Sequence, residues 1–386
     1  MEMVQCQYDF LEVPSCANAT FQQLAMDPLD GNHSHPYPCD SRHFGLAAVA
    51  VAQVNEEDPL ENILEYWIMA IIYFSLGGPD WRIDQNWLTG KSPCHAEWYG
   101  ISCSKSNKIQ EIILLSNNVV GSLPTEITYL TSMQILNLKY ASLSGTLPTE
   151  LGRMRILSEL TLEGLGLVGT LPTEIGLCEN LQSLNLIEVE LSGMIPTEIG
   201  SLSKLTLLGL PSKVEGMLPT ELGLLSNLHV LYLINMIYLR DGLPSQLANL
   251  SRLSNLHILS SLHDEILFSS LLSSLPSTLE SLFLDESNTI EQIPNELSLF
   301  DHLTSLVVVQ SRLTGTLPSK LGLMTKLQSL IFTVTLLSGQ IPSEIGNLTR
   351  LTELNLSCNK FSNVVPTELN KFSKLKSANF KQVCGK

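Results

Sequence analysis

A repeated frame constrains this chain more than any other feature. In Leu327 to Pro342, LQSLIFTVTLLSGQIP, Leu327, Leu330 and Phe332 stand at offsets zero, three and five. Leu337, Gly339, Ile341 and Pro342 follow at ten, twelve, fourteen and fifteen. The frame starts again at Ile109, Met133, Leu157, Leu181, Leu205, Leu228, Leu253, Leu279, Leu303, Leu351 and Leu375. Spacings are 24 residues except 23 after Leu205, 25 after Leu228 and 26 after Leu253. A period of this size marks a stack of coils, each burying its apolar side against its neighbours only. The expected fold is an α/β solenoid of about 12 coils of ~24 residues with a parallel, concave β-sheet.

Side-chain direction explains why this frame makes a coil. Offsets three and five lie two apart and point to one face of a short strand, the core face, while the residues between them face outward. The later glycine permits a turn. The proline, which has no N–H, sits on the return path where no ladder donor is needed. A partly apolar segment such as Glu344 to Leu348 is expected to close the far side as a short helical turn. The coil from Leu253 (LSNLHILSSLHDEILFSSLLSSLPS) has lost its glycine and proline and is the irregular one.

Three divisions follow: 1–57, an irregular cysteine-containing segment; 58–108, a cap; and 109–386, the repeats with a C-terminal capping coil. In the first, His33, His35, Cys39 and His43 are metal-ligating types at close spacing, but they match no zinc pattern, and a disulfide-tethered loop is the simpler reading. From Asp58 onward, Ile63, Trp67, Ala70, Ile71 and Phe74 recur at helical spacing. They predict an amphipathic helix stopped by Gly77, Gly78 and Pro79. That stretch is too short to span a bilayer, and Glu65 interrupts it, so no transmembrane segment is expected. All four tryptophans (Trp67, Trp81, Trp87, Trp98) fall within 32 residues here. A dense aromatic cap would cover the apolar face and strand edge that the first coil leaves open. Cys94 and Cys103 bracket Trp98, and a disulfide between them would close a short loop over that end. Cys358 and Cys384, in consecutive coils at offsets seven and nine, offer a second clamp. Cys178 reads as a small buried apolar residue.

The Trp87-to-Cys103 segment, followed by repeats of the form LxxLxLxxNxLxGxIP, resembles the plant-type leucine-rich-repeat family with its paired-cysteine N-terminal cap. That group includes ectodomains of receptor-like kinases and receptor-like proteins, polygalacturonase inhibitors and algal surface proteins. The resemblance covers about residues 60 to 386 and implies a right-handed leucine-rich-repeat superhelix. In that family the asparagine at offset eight donates to backbone carbonyls of adjacent coils. Here it survives at Asn117 and Asn359, while Ala141, Leu165, Val189, Ser311 and Thr335 occupy the column elsewhere.

The chain carries 38 acids against 22 bases, a net charge of -16, which argues against nucleic-acid binding. It has no phosphate loop, kinase catalytic triplet or nucleophile elbow, and no cofactor-binding or catalytic residue is assigned. His257 with Asp285 reads as a polar patch, since no nucleophile accompanies them. Sequons at Asn18, Asn32, Asn249, Asn347 and Asn355, with cysteines gathered at the ends, favour an extracellular or cell-surface setting. The first twenty residues show no basic-then-apolar leader, and a cytoplasmic setting is the alternative.

Function is expected on the concave face. From Leu228 to Leu327 the outward offsets four and six read Tyr232, Ile234, His257, Leu259, Phe283, Asp285, Val307, Val309 and Ile331, an apolar and aromatic stripe. The expectation is a non-catalytic recognition module for a protein, peptide or glycan, with a possible co-receptor. An inhibitor of a secreted hydrolase and an intracellular interaction protein are the alternatives.

Overall fold

A computed structural model describes residues 60–381, apart from 90, 164–165, 236–237, 240–241, 260–265, 287–288 and 363. Expectations for Cys6, Cys16, Asn18, Asn32, the 33–43 histidine cluster, Leu165 and Cys384 therefore lie outside the described residues. The chain forms two compact units, divided between Ser144 and Gly145.

In the first unit, helix α1 (Leu60–Ser75) ends at Gly77, whose φ of 71° turns the chain into a short 3-10 turn over Gly78–Asp80. The helix is buried more widely than an amphipathic stripe allows. Ala70 and Ile71 are buried as expected, but so are Tyr66, Ile68, Met69 and Ile72, while Trp67 and Phe74 are only half-buried. The reason is packing on two sides. An aromatic cluster covers one, and the strand Val120–Ser122 with the turn Thr125–Tyr129 covers another. In the cluster Trp87 lies 4.8 Å from Trp81 and 4.9 Å from Trp98 between ring centres. Burial and the neighbouring Asp84 carboxylate push the Tyr73 phenol up to about 12. Cys94 and Cys103 form a disulfide. Strand β1 (Ile101–Cys103) pairs antiparallel with β2 (Ile109–Ile113), and β2 pairs parallel with β3 (Ile135–Leu138).

The second unit holds ten further sheet strands in chain order, all parallel. These are β4 (Glu159–Leu162), β5 (Ser183–Asn185), β6 (Leu207–Gly209), β7 (Val230–Ile234), β8 (Asn255–Leu259), β9 (Ser281–Asp285), β10 (Ser305–Val309), β11 (Ser329–Thr333), β12 (Glu353–Asn355) and β13 (Ser377–Asn379). With β2 and β3 they give one parallel strand for each of the twelve starts read from the sequence. Offsets three and five are buried in every coil but the last, where Ala378 is exposed and Phe380 half-buried because no further coil covers them among the described residues. Leu184, Leu330 and Leu354 are fully buried. The return path reads proline, then a five-residue 3-10 turn such as Thr173–Leu177 or Ser343–Asn347, with Ile175 or Ile345 plugged into the core. The coil from Leu253 builds a short α-helix, α2 (Phe268–Ser273), instead. It lacks the proline, and Phe268, Leu271 and Leu272 fall at helical spacing and point inward.

Two features repeat from coil to coil. The offset-seven residue directly after the strand adopts a left-handed backbone in most described coils, including Glu188 (φ 63°), Gln310 (φ 48°) and the β-branched Val334 (φ 54°). Where described, the offset-eight column is buried whatever its chemistry, except in the 23-residue coil from Leu205, where Ser212 takes the buried place and Lys213 is exposed. Asn359 Nδ2 donates to Phe332 O of the preceding coil at 2.7 Å and to Leu356 O at 3.1 Å, while Asn117 exchanges two 2.8 Å bonds with the Ile83 backbone. Ala141 and Val189 fill the same column by packing, Thr335 donates to Asn359 Oδ1, and the buried Ser311 hydroxyl has no partner.

Candidate ligand-binding face

The expected stripe lies within the second unit, on five consecutive strands in unbroken register. Tyr232, His257, Phe283, Val307 and Ile331 are successive partners, and Ile234, Leu259, Asp285, Val309 and Thr333 form the next outward column. Parallel strands about 4.8 Å apart bring aligned side chains into van der Waals contact, so like residues stack. The rings of Tyr232 and His257 lie 4.9 Å apart at 38°, and those of His257 and Phe283 5.7 Å apart at 22°. The first pair is tilted and the second stacked.

Most of the stripe is half-buried and open on its outer side. Val307 departs from the expectation, being only 8% exposed. Its short side chain stands between the taller Phe283 and Ile331, which cover it, so it braces the face and offers little to a ligand. A third outward column, missed in the sequence, runs Val230, Asn255, Ser281, Ser305 and Ser329. The period-two rule that marks offsets four and six as outward marks offset two as well. At the N-terminal end of the aromatic stack, Tyr232 pairs in register with Gly209, over which Asn185 and Ile187 lean.

Burial alone holds the His257 imidazole below its ordinary value; no acid contributes. Burial first, and the adjacent Glu286 second, raise the Asp285 carboxyl. Asp285 accepts from the Glu286 backbone N–H and, at a long 3.5 Å, from Gln310 Nε2. Among the described residues no group of acids, histidines and cysteines is arranged to hold a metal.

The Asn249 and Asn347 sequons are exposed at the ends of 3-10 turns. Asn355 lies on β12 with its amide oxygen accepting from Ser357 N at 3.1 Å and Ser357 Oγ at 2.7 Å, and Ser357 is buried. Cys178 is buried, its thiol is pushed up to about 11 by that burial, and it donates to Leu151 O. Cys358 is disulfide-bonded.

A parallel strand, a tight left-handed corner, a proline and a 3-10 turn, repeated in register around a leucine core, decide the class. The fold is a leucine-rich-repeat solenoid. The Leucine Rich Repeat family profile matches residues 350–372. A probable leucine-rich repeat receptor-like protein kinase of Arabidopsis thaliana is 39% identical over 56 residues, 14% of this chain and 6% of the kinase. Among solved structures, a plant peptide hormone receptor, RGFR1 in complex with RGF2, superposes with a TM-score of 0.56 at 27% identity over 73% of this chain. The TDR receptor gives 0.56 at 29% identity over 69%. This chain spans about half of those two receptor chains (52% and 51%). A leucine-rich-repeat protein of Leptospira interrogans gives 0.55 at 28% identity, over 72% of this chain and 74% of its own. No helix among the described residues is long and apolar enough to cross a membrane.

Proposed function

We propose that this leucine-rich-repeat protein is a non-catalytic recognition module at the cell surface or outside the cell, and that the face built by β7 to β11 holds its ligand. The observation that carries this reading is the in-register stripe from Tyr232 to Ile331. Five consecutive coils present aromatic and branched side chains outward, half-buried by one another but with no element of the described chain over them. Contiguous apolar surface on an acidic protein of net charge -16 is the pattern of a partner site. A structural neighbour whose title states a complex with RGF2 supports a ligand-holding role for such a solenoid. The exposed Asn249 and Asn347 sequons and the Cys94–Cys103 disulfide support the extracellular placement.

The test is a panel of random peptides and cell-surface glycans screened against the intact chain and against a Tyr232→Ala, Phe283→Ala double variant. The variant is expected to lose the ligands the parent holds while melting within a few degrees of it, because both side chains are on the outer side of the sheet. Equal binding by parent and variant would place the site elsewhere.

A further inference from the structure

Charge is distributed unevenly along this chain. Residues 301–386 hold ten of its 22 bases and four of its 38 acids, so one end of an acidic protein carries net positive charge. Within the second unit these residues build the coils of β10 to β13.

Several of the bases share one column. The residue just before each coil's starting leucine lies at the corner between the 3-10 turn and the strand. Asn180, Lys204, Asn227 and Arg252 occupy it in four successive coils, and His302, Lys326, Arg350 and Lys374 in the last four. The backbone repeats closely there. Thr325 N donates to Leu323 O and Thr349 N to Asn347 O, both at 2.9 Å. One residue past each start, Gln328 N donates to Thr304 O, Thr352 N to Gln328 O and Lys376 N to Thr352 O, each at 2.7 Å. Corner residues of adjacent coils are therefore neighbours at about the 4.8 Å spacing of strands.

The earlier coils show what a base in this column does. Lys204 Nζ reaches back one coil to Asn180 Oδ1 at 2.5 Å, and one Arg252 guanidinium nitrogen to Asn227 Oδ1 at 2.7 Å. In the last coils the same reach meets another cation, Lys326 behind Arg350 and Arg350 behind Lys374. None of the three pairs with an acid among the described residues. Arg350 and Lys374 are exposed and Lys326 half-buried, while His302 faces its own neighbour Asp301 at 2.7 Å. Like charges aligned across strands repel. A row of external oxygens between them would stand where the asparagine oxygens stand in the earlier coils.

We propose that the corner column of Lys326, Arg350 and Lys374 binds a linear acidic polysaccharide, one whose sugars carry sulfate or carboxylate groups, laid across the coils. Repeat matches repeat, since an extended polysaccharide advances roughly one coil spacing per sugar. Arginine grips a sulfate or carboxylate through two parallel N–H bonds, and lysine acts as a point charge. Each further coil engaged strengthens the attachment, because the next contact is intramolecular. An extended acidic peptide turns a side chain to one face only every second residue, about 6.8 Å apart, and falls out of step with the coils. A duplex nucleic acid needs a second charged track, and this column is one residue wide. The site is separate from the stripe on β7 to β11 and takes from the reading above only the extracellular placement.

The test is retention of the full chain on immobilised dextran sulfate and alginate, with neutral dextran and poly-glutamate as controls, released by a salt gradient. The parent is expected to stay on at least one acidic polysaccharide, to elute as salt rises and to pass through neutral dextran. The two acidic resins separate a sulfate from a carboxylate ligand. Lys326→Gln with Arg350→Gln and Lys374→Gln should bind about tenfold more weakly or worse while melting no lower than the parent. Arg350→Asn is the sharper variant and decides if the triple variant does not fold. It offers Lys374 the oxygen that Lys204 already has, so it should lose polysaccharide and gain thermal stability together. Lys320→Gln, which removes a base from the 3-10 turn Ser319–Leu323, should bind like the parent. So should the Tyr232→Ala, Phe283→Ala double variant, which keeps this site distinguishable from the concave one. Passage of the parent through both acidic resins, or equal retention of parent and Arg350→Asn, would overturn the proposal. An equal loss in Lys320→Gln would trace retention to net charge and overturn the site, and tighter binding to poly-glutamate than to either polysaccharide would overturn the ligand class.

Discussion

Gly176 tests how the coils are held at their spacing. It lies in the 3-10 turn Thr173–Leu177 with an ordinary negative φ, so backbone freedom is not what requires glycine there. A methyl group at Gly176 would sit 2.6 Å from Glu198 O, 2.8 Å from Glu198 Cβ and 3.1 Å from Glu198 C, all in the next coil. The oxygen belongs to backbone and cannot swing aside, so the neighbouring turn must move by about half an ångström or more. Overpacking of this kind costs about 1–3 kcal/mol. Alanine offsets about 0.4–1 kcal/mol of that by restricting the unfolded chain. Steric cost wins, and Gly176→Ala should lose about 1–2 kcal/mol, or about 2–8 °C for a unit of this size. Gly216 is the control. Its φ is +77° and its nearest would-be neighbours are Met194 side-chain atoms at 3.6 Å and 3.8 Å, so it is glycine for conformation and not for space. Asparagine tolerates a left-handed backbone. Gly216→Asn should therefore melt close to the parent, while Gly176→Asn should fall further than Gly176→Ala. Circular-dichroism melts of the parent and the three variants decide it. A Gly176→Ala protein that melts at or above the parent would refute the spacing argument.

Three further outcomes are expected. Leu330→Ala should lose about 2–5 kcal/mol in a denaturant titration, because Leu330 is fully buried between like residues of adjacent coils and its removal leaves a cavity. Val334→Asn should gain about 0.5–1 kcal/mol by relieving a β-branched residue at φ 54°, at no cost in burial since the side chain is exposed; a lower melting temperature would contradict this. For His257 the folded pKa is depressed, so the unfolded chain takes up a proton first as pH falls through the ordinary imidazole value of 6.5. Its contribution is thus present at neutral pH and lost on acidification, and His257→Phe should flatten the melting-temperature profile between pH 8 and 5. Asp285, raised above the ordinary carboxylate value, has the opposite sign and acts in the more acidic window just above 3.8.

The placement of leucines every 24 residues was enough to establish the solenoid, its twelve parallel strands and the identity of the inward column. The pattern is local, since offsets three and five must share a face of any strand. The disrupted coil at Leu253 was equally visible, because proline and glycine act on their own backbone. The outward stripe could be named residue by residue for the same reason.

What the linear order could not supply is anything that depends on the height of a neighbour one coil away. Val307 looks outward in the pattern but is roofed by Phe283 and Ile331, and helix α1 looks amphipathic but is enclosed on most sides. Gly176 and Gly216 are the same letter with different tasks, one leaving room for Glu198 and the other turning the chain. Gly209, in register beside Tyr232, is buried because Asn185 and Ile187 of the preceding coil lean over it. Repetition writes direction into each coil, whereas contact between coils is a property of pairs distant in sequence, and only the stacked structure decides which side chains those pairs leave exposed.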